Sequence, residues 1–393
     1  MINTDDMLEA YYDCRKSKRR TASAIEYEMD YIPRLINLVN RINDRTYNPG
    51  TSICFVVTRP RYREVFAAAF EDRIVHHYIA IRLEPLFEGI FNDRTFNCRK
   101  GKGQLCGVST LQEDIKACSG NYTRDCYGMT LDIKGFFMSI RKSILAGMID
   151  DFIVKNYSGE DKEDLRFLCK TVIMHEPQKD CIRKSPMELW EHIPKEKSLF
   201  TNGEGKGIAI GNLFAQLFAN FLLNGIDWLV EKSGIRYHGR YVDDMYCVSE
   251  DKAALSALVP VIREALGKIG LRLNPKKFYL QHYAKGIPFT GAIVKPGRVY
   301  AMNRTIESFR RAVLGLNGAG SLYEIEKSVN RINSYLGLLR HYDEYGNRRK
   351  ILGLIDSRLF GYIYIKGHFD TVAIRDRYKK RTRILKMIEN GEC

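Results

Sequence analysis

Apolar residues recur at helical spacing through the first fifty positions. Ile32, Leu35, Ile36, Leu38, Val39 and Ile42 form one stripe, and Asn48-Pro49-Gly50 ends it. Upstream, Leu8, Tyr11 and Tyr12 precede a basic run at Lys16, Lys18, Arg19 and Arg20. The pattern then changes to short apolar runs. Cys54–Thr58 and Glu64–Ala67 read as a hairpin with Arg59, Arg61 and Arg63 at its turn. Ile74, Ile79, Ile81, Leu83 and Leu86 predict a helix over 71–90, and Gly128–Ile133 reads as a buried strand. Helices are expected over roughly 140–175, then a polar, Pro-containing loop insertion over 176–200, then a strongly apolar helix over 211–233. Ile235–His238 and Tyr241–Val248 predict a second hairpin, 251–269 a helix, and 287–301 paired short strands around Lys295–Arg298. From 303 the chain reads as mostly helical and basic, finishing with Arg375–Lys386. A few antiparallel strands among helices make an α+β protein, without the regular alternation of a doubly wound sheet.

Length and charge narrow the function. The 393 residues allow two or three packed units, and 45% hydrophobic content excludes wholesale disorder. Lys and Arg number 62 against 47 Asp and Glu, a net charge of +15. An excess of that size points to a polyanionic partner such as nucleic acid. No apolar run approaches the ~20 residues of a membrane span, and the acidic start MINTDDMLEAYYD has no leader character. The expectation is a cytoplasmic protein with no membrane partner. Ten cysteines without a C-x-x-C pair argue against a zinc ribbon and read as reduced core fillers.

The sharpest chemistry lies in Tyr241-Val242-Asp243-Asp244-Met245-Tyr246. Two buried negative charges are costly unless a cation neutralises them. On a strand adjacent side chains point to opposite faces, but at a hairpin turn both can reach one metal cluster. A solvated Asp-Asp turn is the other reading of these residues. Leu131-Asp132-Ile133 sets a third aspartate at the end of an apolar strand, where it could equally cap the next helix. If the fold joins the three, their oxygen ligands favour Mg²⁺ or Mn²⁺ over zinc. Two such ions about 3.5–4 Å apart would support in-line phosphoryl transfer.

The order of the remaining motifs resembles that of a reverse transcriptase. Arg59–Arg63 runs into Glu71-Asp72-Arg73-Ile74-Val75-His76-His77, followed by Phe96-Asn97-Cys98-Arg99-Lys100-Gly101-Lys102-Gly103. Leu131–Phe137, Gly207-Ile208-Ala209-Ile210-Gly211-Asn212 with Gln216, the Tyr241–Asp244 box, Gly270–Lys277 and Gly286–Gly291 complete the series over about 50–300. Within that family the chain is similar to the bacterial lineage of diversity-generating retroelements and group II introns. The Arg-Lys-Gly-Lys-Gly turn and Ile-Gly-Asn-Leu-x-x-Gln carry this likeness, with Ala215 where the lineage normally has Ser. Defence-associated bacterial reverse transcriptases share the ancestry.

The resemblance implies a right-hand polymerase. Its parts would be an N-terminal helical extension (1–50), fingers (51–125), a palm (126–300, with the 176–200 insertion) and a helical thumb with a basic tail (301–393). It implies RNA-directed DNA synthesis with two Mg²⁺ ions, Mn²⁺ being possible, held by Asp132, Asp243, Asp244 and the Ile133 backbone carbonyl. Phe137 matches the steric gate against a ribose 2′-OH. Arg61 and Arg63 match residues that hold the triphosphate, Gln216 the residue beside the nucleotide sugar, and Lys277 the lysine near the leaving phosphates. Arg99, Lys100, Lys102, Tyr241, Arg310 and Arg311 would contact nucleic acid. The implied partners are template RNA, a cDNA primer, dNTPs, and a small basic accessory protein or structured non-coding RNA. The implied use is mutagenic diversification from a dedicated RNA. The alternatives are an antiphage enzyme making repetitive or untemplated cDNA, and a silent RNA-binding scaffold.

Overall fold

Asn3 opens the first helix, Thr4–Arg15, by accepting the Asp6 amide hydrogen at 2.8 Å, with Asp5 and Asp6 complementing the helix dipole. The computed structural model describes residues 1–16, 18–59 and 61–379. Pro60 of the fingers motif and the basic segment from Lys380 to Lys386 lie outside the described residues. The structure is α+β. Among the described residues the strands are β1 (Ser52–Val57), β2 (Arg63–Ala67), β3 (Tyr127–Asp132), β4 (Cys181–Arg183), β5 (Tyr237–Tyr241), β6 (Asp244–Ser249), β7 (Tyr279–His282), β8 (Ile287–Phe289), β9 (Ala292–Lys295), β10 (Arg298–Ala301), β11 (Ile363–Lys366) and β12 (Thr371–Ile374). They form sheets of order β2-β1-β4, β5-β6-β3-β7, β10-β9-β8 and β11-β12.

The chain divides into two compact units. The first comprises Met1–Gly103, Leu131–Met245 and Ala253–Phe278. Its helix Tyr31–Asn43 buries four residues of the expected stripe, Leu35, Leu38, Val39 and Ile42, and leaves the other two, Ile32 and Ile36, exposed. The β1–β2 hairpin is antiparallel, with Val57 opposite Arg63 at its mouth. Cys54 and Phe66 from its inner face pack with Met138, Leu199 and Ala209. Residues 176–200 were expected as a loop, yet β4 adds to β1 in parallel, pairing Ser52 with Cys181. The Arg183 guanidinium caps the Phe200 ring at 3.8 Å from its centroid. A three-residue strand recruited by pairing and one cation–aromatic contact carries little periodicity of its own, so sequence pattern misses it.

The helix Leu213–Lys232 is long and apolar enough to cross a membrane, with a mean hydropathy of 1.4. This corrects the expectation that no run reaches span length: its polar positions Gln216, Asn220 and Asn224 carry no charge. It is nevertheless a core helix, mostly buried inside the fold. Phe87 stacks on Phe221 with ring centroids 4.7 Å apart.

Gly211, just before this helix, has φ +120°. A Cβ there would lie 2.8 Å from the Phe66 carbonyl oxygen, while the Phe66 amide donates to the Ile210 carbonyl at 3.0 Å. Gly211→Ala must therefore break the join between β2 and the 207–212 loop. The expected cost is about 1–3 kcal/mol in urea unfolding. Wild-type stability in the variant would remove the close approach as the reason for glycine.

Among the described residues the second unit comprises Gln104–Thr130, Tyr246–Lys252 and 279–379. The strand pairing expected around Lys295–Arg298 is present as β9–β10, with Arg298 opposite Lys295. The helices Asn303–Asn317, Leu322–Leu339 and Tyr345–Leu352 follow. Glu344 ties them to β10 by accepting the Ala301 amide hydrogen at 2.8 Å. The last region, expected to be mostly helical, also contains a hairpin of β11 and β12, and Asp370 in its turn pairs with the buried Arg348.

Candidate active site

Asp132 sits at the end of β3 and is 4% exposed. An extended segment runs antiparallel beside it. Ile133 bridges to Leu273, and the Lys134 amide donates to the Arg272 carbonyl at 2.9 Å. Asn274 then fixes Asp132 twice. Its backbone amide donates to the Asp132 carbonyl at 2.7 Å, and its side-chain amide donates to Asp132 Oδ2 at 2.9 Å. Asn274 also caps the short turn Pro275–Lys277, which aims the Lys277 ammonium at Asp132 Oδ1. The geometry thus joins Asp132 and Lys277, two residues singled out in the sequence.

The second hairpin is shifted from its expected position. Its turn is Val242-Asp243 itself, with Tyr241 ending β5 and Asp244 starting β6. Val242 adopts φ +57°, a costly conformation for a β-branched residue. Two contacts hold it. The Arg240 guanidinium donates to the Val242 carbonyl at 2.9 Å, and the Val242 amide donates to Asn97 Oδ1 at 2.9 Å. Arg240 is 1% exposed and pairs with Asp227 on the core helix, Nη2 to Oδ2 being 2.6 Å. Thr95 donates its hydroxyl to the same Asp227 oxygen at 2.8 Å, and Asn220 donates to the Asn97 carbonyl at 2.8 Å. A buried ion pair with every oxygen engaged is a rigid support.

Asp243 and Asp244 both feel the charge of Asp132. Burial, then the Asp132 charge, pushes the Asp243 carboxyl up to about 6. Asp244 rises in the same direction, from burial and then the charges of Asp243 and Asp132, with Lys277 partly offsetting. Among the described residues no group of three or more His, Cys, Asp or Glu is placed so that it could hold a metal ion as it stands. Both Asp132 oxygens are engaged by Lys277 and Asn274. The donor set still fits a hard divalent cation: it is all oxygen, crowded and short of positive charge. The Lys277 ammonium lies where Asp132 would meet such an ion, and must yield for Asp132 to ligate it.

Other expected residues are placed variously. Arg61 and Arg63 are exposed at the mouth of the β1–β2 hairpin. Phe137 is half-buried, leaning on the Met138–Leu199 cluster and on Phe136 at 5.1 Å. Gln216 is exposed and accepts from the Cys98 thiol at 2.7 Å. Tyr241 is half-buried, and burial raises its phenol. Lys100 is exposed, while Lys102 reaches back to the Asp93 carbonyl and carboxylate. Arg310 and Arg311 are exposed on the helix Asn303–Asn317 of the second unit.

Arg99 is a correction. Expected to contact nucleic acid, it is 9% exposed and pairs with Glu88 at 2.9 Å. It also donates to the carbonyls of Asn92 and Thr95, at 2.7 and 3.2 Å. Its donors are spent on shaping the 92–99 loop. Sequence reasoning missed the support group Asn97, Asn220, Asp227, Arg240 and Asn274. A signal existed in Arg240 and Asp227, opposite charges on a short strand and an apolar helix, each otherwise too costly to bury.

Residues 58–294 match the family described as "Reverse transcriptase (RNA-dependent DNA polymerase)". No curated protein matches the chain. Among solved structures, telomerase from Candida tropicalis truncated of its C-terminal domain is similar with a TM-score of 0.43 and 15% identity, covering 67% of this chain and 59% of that one. Intact apo telomerase from the same organism gives 0.47 and 13%, covering 77% and 56%. Telomerase from Candida albicans, in complex with a fragment of telomeric RNA, gives 0.45 and 10%, covering 79% and 56%. The chain thus spans little more than half the length of these telomerases.

Proposed function

Since the chain belongs to the reverse transcriptase (RNA-dependent DNA polymerase) family, a class of nucleotidyltransferases, we propose that it extends a DNA primer by copying RNA. The observation that carries this reading is that the Asp132 charge, from a distant part of the sequence, helps to raise the carboxyls of Asp243 and Asp244, while Asp132 itself pairs with Lys277. Mg²⁺ bound by these carboxylates would supply Lewis acidity for the attack of a primer 3′-hydroxyl on a nucleotide α-phosphate. The chain itself does the rest. Asn274 orients Asp132, and the Arg240 network sets the Asp243-Asp244 turn. Lys277, released from Asp132, balances phosphate charge near the leaving group. Arg61 and Arg63 draw in the triphosphate. Gln216 and Tyr241 border the nucleotide and primer.

This reading takes 51–125 as fingers, 126–300 as palm, 301–393 as thumb and 1–50 as an added helical layer. It takes template RNA, primer and dNTPs as ligands, and Lys100, Lys102, Arg310 and Arg311 as phosphate contacts. The motif likeness to diversity-generating elements supports a bacterial or phage retroelement enzyme, cytoplasmic, working with a structured RNA or a basic accessory protein. The deciding experiment is incorporation of labelled dNTP on a primed RNA, with and without Mg²⁺. Extension that stops in chelator and resumes with Mg²⁺ supports the reading, and no extension on any primed RNA overturns it. Sequencing the copurifying RNA and cDNA then separates diversification, with a repeat copy of a target gene, from a repetitive defence product.

Phe137 supplies a specificity test. Phe137→Ala is expected to raise ribonucleotide incorporation relative to deoxyribonucleotide by about ten- to a hundredfold. An unchanged ratio would return Phe137 to the core cluster on which it leans.

A further inference from the structure

A basic groove lies in the first unit, beside the segment that supports Asp132. Arg141, Arg263 and Arg272 line one open groove of about 750 Å³, together with Val259, Pro275 and Phe278. Among the described residues no acidic side chain lines it. The three arginines are exposed, and among the described residues none has a carboxylate partner, although neighbouring Glu264 is paired with Lys268 at 2.9 Å. Phe278 is 47% exposed, unusual for a large aromatic ring. Gly270, at φ +76°, lets the Arg141 stem lie across the groove floor, since a Cβ there would sit 2.8 Å from Arg141 Cδ.

Three unpaired guanidinium groups ask for a polyanion. The exposed ring and apolar floor ask for flat, unpaired bases. A duplex hides its base faces, whereas single strands bind by pairing phosphate contacts with aromatic stacking. A groove of this volume holds about two or three nucleotides. We infer that this groove binds a single-stranded segment of nucleic acid, its phosphates on Arg141, Arg263 and Arg272 and a base stacked on Phe278. The groove also contains Asn274, the residue that holds Asp132, so strand binding there abuts the support of the candidate active site.

The test needs neither nucleotide nor metal, so its outcome is separate from that of the polymerase reading. The full chain has two tryptophans, and Phe278→Trp adds a local fluorophore at the groove. In chelator, oligo(U) or oligo(dT) of about 12 nucleotides should quench the added fluorescence, with affinity falling steeply between about 50 and 200 mM salt. Adding Arg263→Glu and Arg272→Glu should weaken the half-saturation by about tenfold or more, at an unchanged melting temperature. Should that combination fail to fold, Arg263→Gln alone, in the Phe278→Trp background, should still weaken it measurably. Quenching by one oligomer and not the other supports the site and identifies RNA or DNA as its ligand. Absence of quenching, quenching by duplex alone, or indifference to the arginine changes overturns the inference.

Discussion

Asp243→Asn should abolish nucleotide incorporation, lowering the rate by about a thousandfold or more, and at the same time make the metal-free protein more stable. The first effect follows from removing one carboxylate charge from a site whose work is to hold cations and phosphates. The second follows from burial. The Asp243 carboxyl is pushed from 3.8 to about 6 in the folded chain. A raised carboxyl favours the protonated folded form, so its stabilising contribution is complete below the unfolded value and is lost as pH rises through about 6. At pH 7.5 the metal-free wild type therefore carries an ionised, poorly solvated group that asparagine does not. The variant should gain on the order of 1–3 kcal/mol there. The gain should vanish by about pH 4. Thermal melts across pH in chelator check the second part, and primer extension the first. Retained extension would sink the catalytic role, and a destabilised variant at pH 7.5 would sink the account of burial.

Arg240→Leu should be the most damaging change outside the carboxylates. It would leave Asp227, buried on the core helix, without its counter-ion, and would free the Val242 carbonyl. Breaking one side of a buried pair costs about 3–5 kcal/mol. Val242 would lose one of the two contacts that hold it at positive φ, leaving Asn97 alone, and the Asp243-Asp244 turn would loosen. Denaturant unfolding should show the loss of stability. At temperatures where the variant remains folded, extension should still fall, since about 1 Å of misplacement can cost a hundredfold. The double change Arg240→Leu with Asp227→Leu should recover most of the stability and little of the activity. Recovery of both would mean that the pair serves packing alone.

These effects show what sequence could carry. Most of the long helices and the β1–β2 hairpin were legible because burial repeats with the period of each element, although the helix Gln104–Cys118 was not anticipated. The aspartates were legible because charge in an apolar strand is conspicuous. Less visible was anything decided by pairing across long separations. β4 exists because β1 offers an edge, and the β11–β12 hairpin sits within a segment whose overall bias is helical. The turn of the second hairpin was shifted by three residues, from 239–240 to 242–243, because Val242 takes a conformation that valine disfavours, imposed by Arg240 and Asn97. Arg99 misled for a related reason: an arginine in a basic, glycine-rich turn looks like a phosphate ligand, and only Glu88 and two carbonyls reveal it as a brace.

The apolar helix Leu213–Lys232 sets a constraint on synthesis. Its cover on the Phe87 side is made before it, but the partner of its Asp227 is Arg240, which the ribosome adds later. For that interval the nascent chain carries a stretch with the hydropathy of a membrane span and an aspartate with no counter-charge. Fragments, split versions or fusions cut between 232 and 240 would make that interval permanent. Division points for such versions belong outside this span, where the helix and its arginine leave the ribosome as one piece.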